Sequence, residues 1–304
     1  MTATTRQEEF LRRFHAGRPG VTGETVGRMT GPDGRSGYAM LRDAVPGAAA
    51  VLDLGCGDGV LLELLAARAV EGGRAPGAGG PEASGGSGAG GRGAGGRVLA
   101  GVDLSAESLR AARGRSGVPS GTALVRGRAQ RLPFADGAFD ACVSHMALML
   151  MGEVEEVAAE VARVLVPGGT FACVLGGGAV RGGGDAYERF LPLLAAAVEA
   201  QPAGRRVPRL GDPRTRTREG LDAVLRSAGF GPVDWRTVPL RFDGTEDEVW
   251  SILSGLYDLA PLSARDVAAL REAFLAEAAP LTEAGGSVPC VMRVHLARAA
   301  LPTR

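Results

Sequence analysis

Apolar positions in this chain follow two alternating rhythms. Short runs rich in Val, Leu and Ala, bounded by Gly, Pro or Asp, read as buried strands at 48–54, 97–103, 122–126, 136–144 (after a turn), 170–175, 233–242 and 288–297. Between them, apolar residues recur every third or fourth position. In 153–165, for example, Val154, Val157, Ala158, Val161, Val164 and Leu165 form one stripe, stopped by Pro167-Gly168-Gly169. Further helices are expected at 60–70, 187–200, 219–228, 246–259 and 264–279. Strand alternating with helix is the pattern of an α/β fold built on a mostly parallel sheet.

Ahead of the first strand, residues 8–15 form a short amphipathic helix with Phe10, Leu11 and Phe14 on one face. Ser36 caps a second helix whose Tyr38, Leu41 and Val45 share a side. This N-terminal unit, residues 1–45, is either a lid or a packing arm. The core spans 46–180 and is interrupted at 71–97, where 13 of 27 residues are Gly. Such a segment buries too little apolar surface to offset its ordering entropy, so a flexible excursion is expected. Residues 181–304 hold the rest of the sheet and two helices that cap it.

At 304 residues the chain suffices for one large α/β domain with appended elements, or two small ones. Its formal net charge of +0 removes the usual electrostatic argument for nucleic acid or an anionic membrane as partner. No apolar run approaches membrane-spanning length, and the N-terminus is too polar for a signal peptide. Cys56, Cys142, Cys173 and Cys290 stand far apart, which suggests neither a disulfide framework nor a metal site. Every basic residue is Arg, so no Lys serves as base or Schiff-base former. A reduced, cytoplasmic protein, monomer or homodimer, is expected.

The chemistry concentrates in Val51-Leu-Asp-Leu-Gly-Cys-Gly-Asp-Gly59, a strand running into a turn with Gly at alternate positions and then into a helix. That arrangement places a cofactor at the turn and the helix N-terminus. The dinucleotide fingerprint would need Gly at position 60, where Val stands. A pyrophosphate would also meet Asp53 and Asp58, whereas a cationic ligand would be attracted. With the 27-residue excursion set aside, Asp103 follows Gly57 by 19 residues, the spacing of a ribose-binding acid.

Asp53-Leu-Gly55-Cys-Gly57-Asp-Gly59 resembles the first motif, D/E-x-G-x-G-x-G, of the class I S-adenosylmethionine (SAM) dependent methyltransferases. Gly127, Ala129, Leu132, Pro133, Phe134, Asp136, Gly137, Phe139 and Asp140 match G-D-A-x-x-L-P-F-x-D-G-x-F-D of the ubiquinone/menaquinone-biosynthesis type. The run from Glu160 to Gly169 matches E-x-x-R-V-L-x-P-G-G. The resemblance covers 51–175 and implies a Rossmann-like seven-stranded sheet with its last strand antiparallel, an N-terminal lid, a helical cap and SAM as cofactor. It implies a cofactor site of Asp53, Gly55, Cys56, Gly57, Gly59, Asp103, Leu104, Ala129, Gln130 and Ser144. Arg128 departs from the pattern: the family's Asp there binds the adenine amino group, and Arg accepts no hydrogen bond. That contact is lost or passes to Gln130, and Arg128 points to solvent.

Methyl transfer is an in-line displacement in which the protein aligns the nucleophile and excludes water. A hydroxyl nucleophile benefits from a base. His145, just past the fourth strand at the crevice edge, is the candidate for base or substrate-orienting duty. His15, Tyr38, Met146, Met149 and Tyr187 are the candidates for contacting a small, partly apolar acceptor. Trp250 and Tyr257, seven apart on one helix face, fit the core better than a pocket. The Arg cluster at 205–218 is either a carboxylate clamp or a solvated face. The acceptor is a secondary metabolite, phenol or aromatic amine, methylated on O, N or C. Competing readings are a SAM-fold cyclase or partner subunit, a protein or RNA methyltransferase, and a NAD(P) oxidoreductase.

Overall fold

The computed structural model describes residues 3–72 and 97–303. Seven strands form one sheet: β1 (Ala50–Leu54), β2 (Val98–Asp103), β3 (Ala123–Arg126), β4 (Phe139–His145), β5 (Leu165–Ala179), β6 (Asp234–Arg241) and β7 (Val291–Ala300), in the order β3-β2-β1-β4-β5-β7-β6. Strands β1 to β5 run parallel, while β7 inserts antiparallel between β5 and β6. Strand β1 is buried along its whole length, as an apolar strand covered on both faces must be.

Alternation along the strands divides the core in two. Val51, Leu99, Val143 and Val174 face a layer that includes Leu41 of α3 (Gly37–Ala44), Leu61 and Leu65 of α4 (Val60–Gly72) and Leu109 of α5 (Ala106–Gly114). Leu52, Leu54, Val102, Cys142 and Phe171 face the opposite layer, which includes α6 (Val154–Val164). There Val154, Val157, Ala158, Val161 and Val164 of the stripe read from the sequence are buried, whereas Leu165, the sixth, opens β5, so the helix ends before Pro167-Gly168-Gly169. α7 (Ala186–Glu199) joins the first layer through Phe190, and α8 (Arg218–Ser227) joins the second through Leu221 and Leu225.

The N-terminal unit comprises α1 (Ala3–Gly17), a short α2 (Val21–Glu24) and α3, whose Ser36 cap accepts from the Ala39 amide at 3.3 Å. After β6 come α9 (Glu246–Leu253) and α10 (Ala264–Ala278), each begun by a capping box, Thr245 with Glu248 and Ser263 with Asp266.

Three expectations needed correction. Strand β5 starts at Leu165 and ends at Ala179, well outside 170–175, because Leu165 pairs with Phe139 of β4 and β7 pairs with the strand as far as Ala179. The last strand lies three residues later than expected, at Val291–Ala300. The helix expected over 246–259 stops at Leu253, and Tyr257–Leu259 forms a separate single turn. Gly255 lies at the break, where a Cβ would come within 2.9 Å of Thr25 Cγ2. The close approach of the α2 segment thus requires a residue that also weakens helix continuation. The glycine-rich excursion lies outside the described residues from 73 to 96.

Candidate active site

The order β3-β2-β1-β4-β5 reverses direction between β1 and β4, and the crevice beyond their C-terminal ends is the ligand site of open α/β sheets. Here that crevice is built by the glycine turn. Gly55 has φ 77°, and a Cβ on it would sit 2.4 Å from the Ala147 Cβ, so only Gly permits this backbone. The Gly55 and Cys56 amides both donate to the Val102 carbonyl, which ties the turn to the end of β2. The Gly57 amide donates to Asp103 Oδ2 at 2.9 Å, and the Ser105 amide donates to Oδ1 at 2.8 Å. The two motifs that lie 46 residues apart in sequence are therefore one hydrogen-bonded unit.

The three acids of this unit differ. Asp58 pairs with the Arg115 guanidinium, which also binds the Asp58 carbonyl at 2.9 Å. Its charge is offset locally, so the sequence reading overstated its share of the electrostatic argument. Asp103 is steadied by the two amides, although burial still pushes its carboxyl up. Asp53, 1% exposed, has no hydrogen-bond or ion-pair partner among the described side chains. Burial pushes its carboxyl well above the ordinary range, and Asp103 and Asp58 add to the effect. A buried carboxylate facing a cleft without a cation fits a positively charged ligand.

Three adjoining cavities fill the crevice. The first, about 670 Å³ including its open mouth, is lined by Gln7, Glu8, Leu11, Asp103, Leu104, Ala129 and Gln130. The second, about 520 Å³, lies over the glycine turn and includes His15, Tyr38, Asp53, Cys56, Gly57, Asp58, His145, Met146 and Tyr257. The third, about 680 Å³, is lined by Val21, Thr22, Met29, Met146, Met149, Tyr187, Phe242, Ile252, Tyr257 and Met292, among others, and by no charged residue. His15, Gly55 and Asp103 border both the first and second cavities, while Thr22, Met146 and Tyr257 border both the second and third.

Most residues singled out from the sequence come together here, with exceptions. Ser144 is fully buried and donates its hydroxyl to the Leu54 carbonyl at 2.8 Å, so it braces β4 against β1 and lines none of the three cavities. Gly59 shapes the turn against Ala112 without bordering a cavity. Tyr38 borders the second cavity rather than the third. The Gln130 amide group donates to the Gly152 carbonyl at 2.8 Å. Arg128 does not extend free into solvent: its guanidinium bridges Glu8 of α1 at 2.8 Å and Glu153 at 3.0 Å, tying the N-terminal helix across the first cavity. Burial raises the Cys56 thiol, which excludes a ready thiolate there.

His145 closes β4, stacked on Tyr38 with ring centroids 3.8 Å apart. Neither ring nitrogen has a hydrogen-bond partner, and burial pushes the imidazole down to about 3. The next residue, Met146, holds a left-handed φ of 56°, an uncommon conformation that turns the chain between the second and third cavities. Sequence reasoning missed Tyr257 and Glu8. Tyr257 was assigned to a continuous helix, and Gly255 was the signal that the helix ends first. Glu8 was one of several acids on a short surface helix and carried no signal without its partner Arg128. Among the described residues, no group of three or more His, Cys, Asp or Glu is placed to hold a metal ion, and no helix is long and apolar enough to cross a membrane.

Comparison with known proteins agrees with this geometry. A family model described as a methyltransferase domain matches residues 83–173, and one described as the methionine biosynthesis protein MetW matches residues 35–75. Demethylmenaquinone methyltransferase of Corynebacterium kroppenstedtii is 30% identical over 141 residues, which span 45% of this chain and 59% of that protein. The chain therefore matches less than two thirds of that relative's length. Among solved structures, YcgJ of Bacillus subtilis has a TM-score of 0.53 at 15% identity, covering 88% of this chain and 99% of that one. Phosphoethanolamine N-methyltransferase 2 of Haemonchus contortus has a TM-score of 0.55 at 14% identity, covering 98% and 61% respectively. At such identities these structures establish the fold. With its sheet order, its acid-bearing first strand and its alternating glycine turn, the chain has the fold of the class I SAM-dependent methyltransferases and is similar to them in sequence across the methyltransferase-domain match.

Proposed function

We propose that this protein transfers a methyl group from SAM to a small, largely apolar acceptor held in the third cavity. The observation that carries the reading is the continuity of the cavities. A chamber without charged lining opens, at Met146 and Tyr257, onto a chamber floored by Asp53 and Asp103. The first two cavities suit a nucleoside with a cationic chain, and the third suits a compound that loses little by leaving water. The bound cofactor would supply an activated methyl group on sulfur.

The chain's own residues do the rest. Gly55, Cys56 and Gly57 give the cofactor a backbone wall, Asp103 takes the ribose side, and Leu104, Ala129 and Gln130 border the adenine end. Asp53 attracts positive charge. Met146, Met149 and Tyr187 form an adaptable apolar wall for the acceptor. His145 orients a polar atom of the ligands, since an imidazole held neutral by burial is a weak base. The net charge of +0 favours a small molecule over RNA. All four cysteines are free and buried, which suits a reducing, cytoplasmic setting, and secondary metabolism is the context we infer.

Calorimetry with SAM, S-adenosylhomocysteine (SAH) and NAD(P)H tests the cofactor, and radiolabel transfer to small-molecule and macromolecular fractions tests the acceptor. Binding of neither SAM nor SAH, or label confined to macromolecules, would refute the proposal. Cofactor binding without any transfer would favour a non-methylating role. His145→Ala is expected to cut turnover at least tenfold while leaving SAH affinity within about twofold.

A further inference from the structure

We propose that Tyr257 and His15 form the proton-accepting pair of this site, and that the acceptor is an uncharged compound methylated on a hydroxyl oxygen. This rests on the methyltransferase reading above and adds the atom methylated and the residues that serve it. His15 comes from α1 and Tyr257 from the turn that follows α9, so the pair exists only when lid and cap meet. They meet at the Tyr257 hydroxyl, 3.0 Å from His15 Nε2. Phe14 packs on the Tyr257 ring at 4.6 Å, and the Arg18 guanidinium donates to the Ser254 carbonyl at 3.0 Å, fixing the two segments together.

Position decides the role. Tyr257 borders both the cofactor-side cavity and the uncharged third cavity, so its side chain stands at the junction that an acceptor must approach to reach the cofactor. We assign the His15 tautomer in which Nε2 accepts from the Tyr257 hydroxyl, which leaves the phenol oxygen free to accept from a ligand. His145, with no partner and an imidazole that burial pushes down to about 3, does not compete as a base. Burial holds His15 below its ordinary value as well, but unlike His145 it has opposing influences, from Asp103, a hydrogen bond to the Arg18 backbone and Asp58.

Charge and bond changes balance. The acceptor oxygen bonds to the methyl carbon as the carbon–sulfur bond breaks and leaves its electron pair on sulfur. The hydroxyl proton passes to the Tyr257 oxygen while the Tyr257 proton passes to His15 Nε2. The positive charge that a bound cofactor would lose is replaced by an imidazolium charge on His15, which Asp103 favours, so the buried carboxylates would keep a cationic partner. The third cavity selects for hydroxyl. A carboxylate or ammonium would lose its hydration among uncharged side chains. A neutral amine has its lone pair free and needs no base before transfer.

The test uses the full-length protein saturated with SAH and three probes of one shape: para-cresol, para-xylene and para-toluate. Wild type is expected to bind para-cresol roughly five- to tenfold more tightly than para-xylene, and para-toluate most weakly. Tyr257→Phe, which keeps the ring packing, should abolish the cresol preference and leave para-xylene binding unchanged. His15→Gln, which keeps a hydrogen-bond acceptor but no base, should leave cresol binding within twofold. It should also lower kcat for transfer from labelled SAM to para-cresol on the order of 100-fold at constant KM. Unaltered cresol preference in Tyr257→Phe, tightest binding of para-toluate, no binding of any probe, or no transfer to bound cresol in wild type would each overturn the proposal. Failure of wild type to bind SAH would instead sink the methyltransferase reading, whatever the probes do.

Discussion

Replacing Asp53 by Asn should make the free protein more stable and its cofactor binding weaker. Asp53 is 1% exposed at the end of β1, and its carboxyl is pushed up by burial first and then by Asp103 and Asp58. A carboxyl whose folded value lies above its unfolded one helps stability only below the ordinary carboxylate range. That help is lost as pH rises through the raised value. The free wild type should therefore loosen as pH climbs from the ordinary range toward neutrality, and Asp53→Asn should remove that slope. Two unit charges 4 Å apart at an effective dielectric near 20 interact by about 4 kcal/mol, and by about 2 kcal/mol at twice the distance. Asp58 is offset by Arg115, so Asp103 is the main repulsive neighbour. The lower figure is appropriate for acids on adjacent strands, where Asp53 lies opposite Gly101 and Asp103 two residues further on.

Asp53→Asn is then expected to stabilise the free protein by about 2 kcal/mol near neutral pH, a rise in Tm of roughly 4 °C for a chain of this size. The same charge attracts the bound cation, so affinity for SAM should fall by a similar free energy, about 30-fold. SAH, which lacks the sulfonium, should lose less. Thermal unfolding without ligand and titration calorimetry with both ligands read the two effects separately. A variant that is less stable when free and still binds SAM as wild type does would refute the electrostatic reasoning.

Arg128→Ala removes the bridge between Glu8 and Glu153; partly exposed pairs contribute only about 0.2–1 kcal/mol each, so global stability should barely change. The α1 amides should nevertheless exchange faster with deuterium, and unchanged exchange would reject a tethering role. Gly37→Ala would place a Cβ 2.6 Å from His145 Nε2, which should cost about 1–3 kcal/mol in urea unfolding and disturb the stack on Tyr38. A change within about 0.5 kcal/mol would argue against that close approach. Gly55→Ala combines a φ of 77° with a 2.4 Å contact to Ala147, so it should cost about 1–3 kcal/mol and abolish SAH binding by calorimetry. Retained affinity would show that the turn relaxes at little cost.

Local order was legible in the sequence because it depends on neighbours in the chain. The buried stripe of α6 follows from a period of three to four, and the cap at Ser36 from one hydroxyl. The acid-bearing strand and its glycine turn follow from residues within one nine-residue stretch. The spacing from Gly57 to Asp103 was interpretable because the glycine-rich stretch between them could be recognised by composition and set aside. The direct hydrogen bond between those two residues accords with that reading.

Contacts between distant segments decided the rest. Nothing local to Arg128 says that it holds Glu8, 120 residues away, and nothing local to Tyr257 says that it meets His15, 242 residues away. A helical period carried Tyr257 into the core on paper, while the approach of Val21 and Thr25 to Gly255 accompanies its turn into the cleft. Ser144 and Gly59 carry the residue types and positions of site residues, yet packing assigns them to bracing and shaping. Sequence alone located the acid-bearing strand, the glycine turn after it and the sign of the charge they carry, because these are properties of one contiguous strand and loop. Tertiary structure determined which groups surround that turn, because the lid, the cap and the apolar chamber between them arise from the packing of segments far apart in the chain.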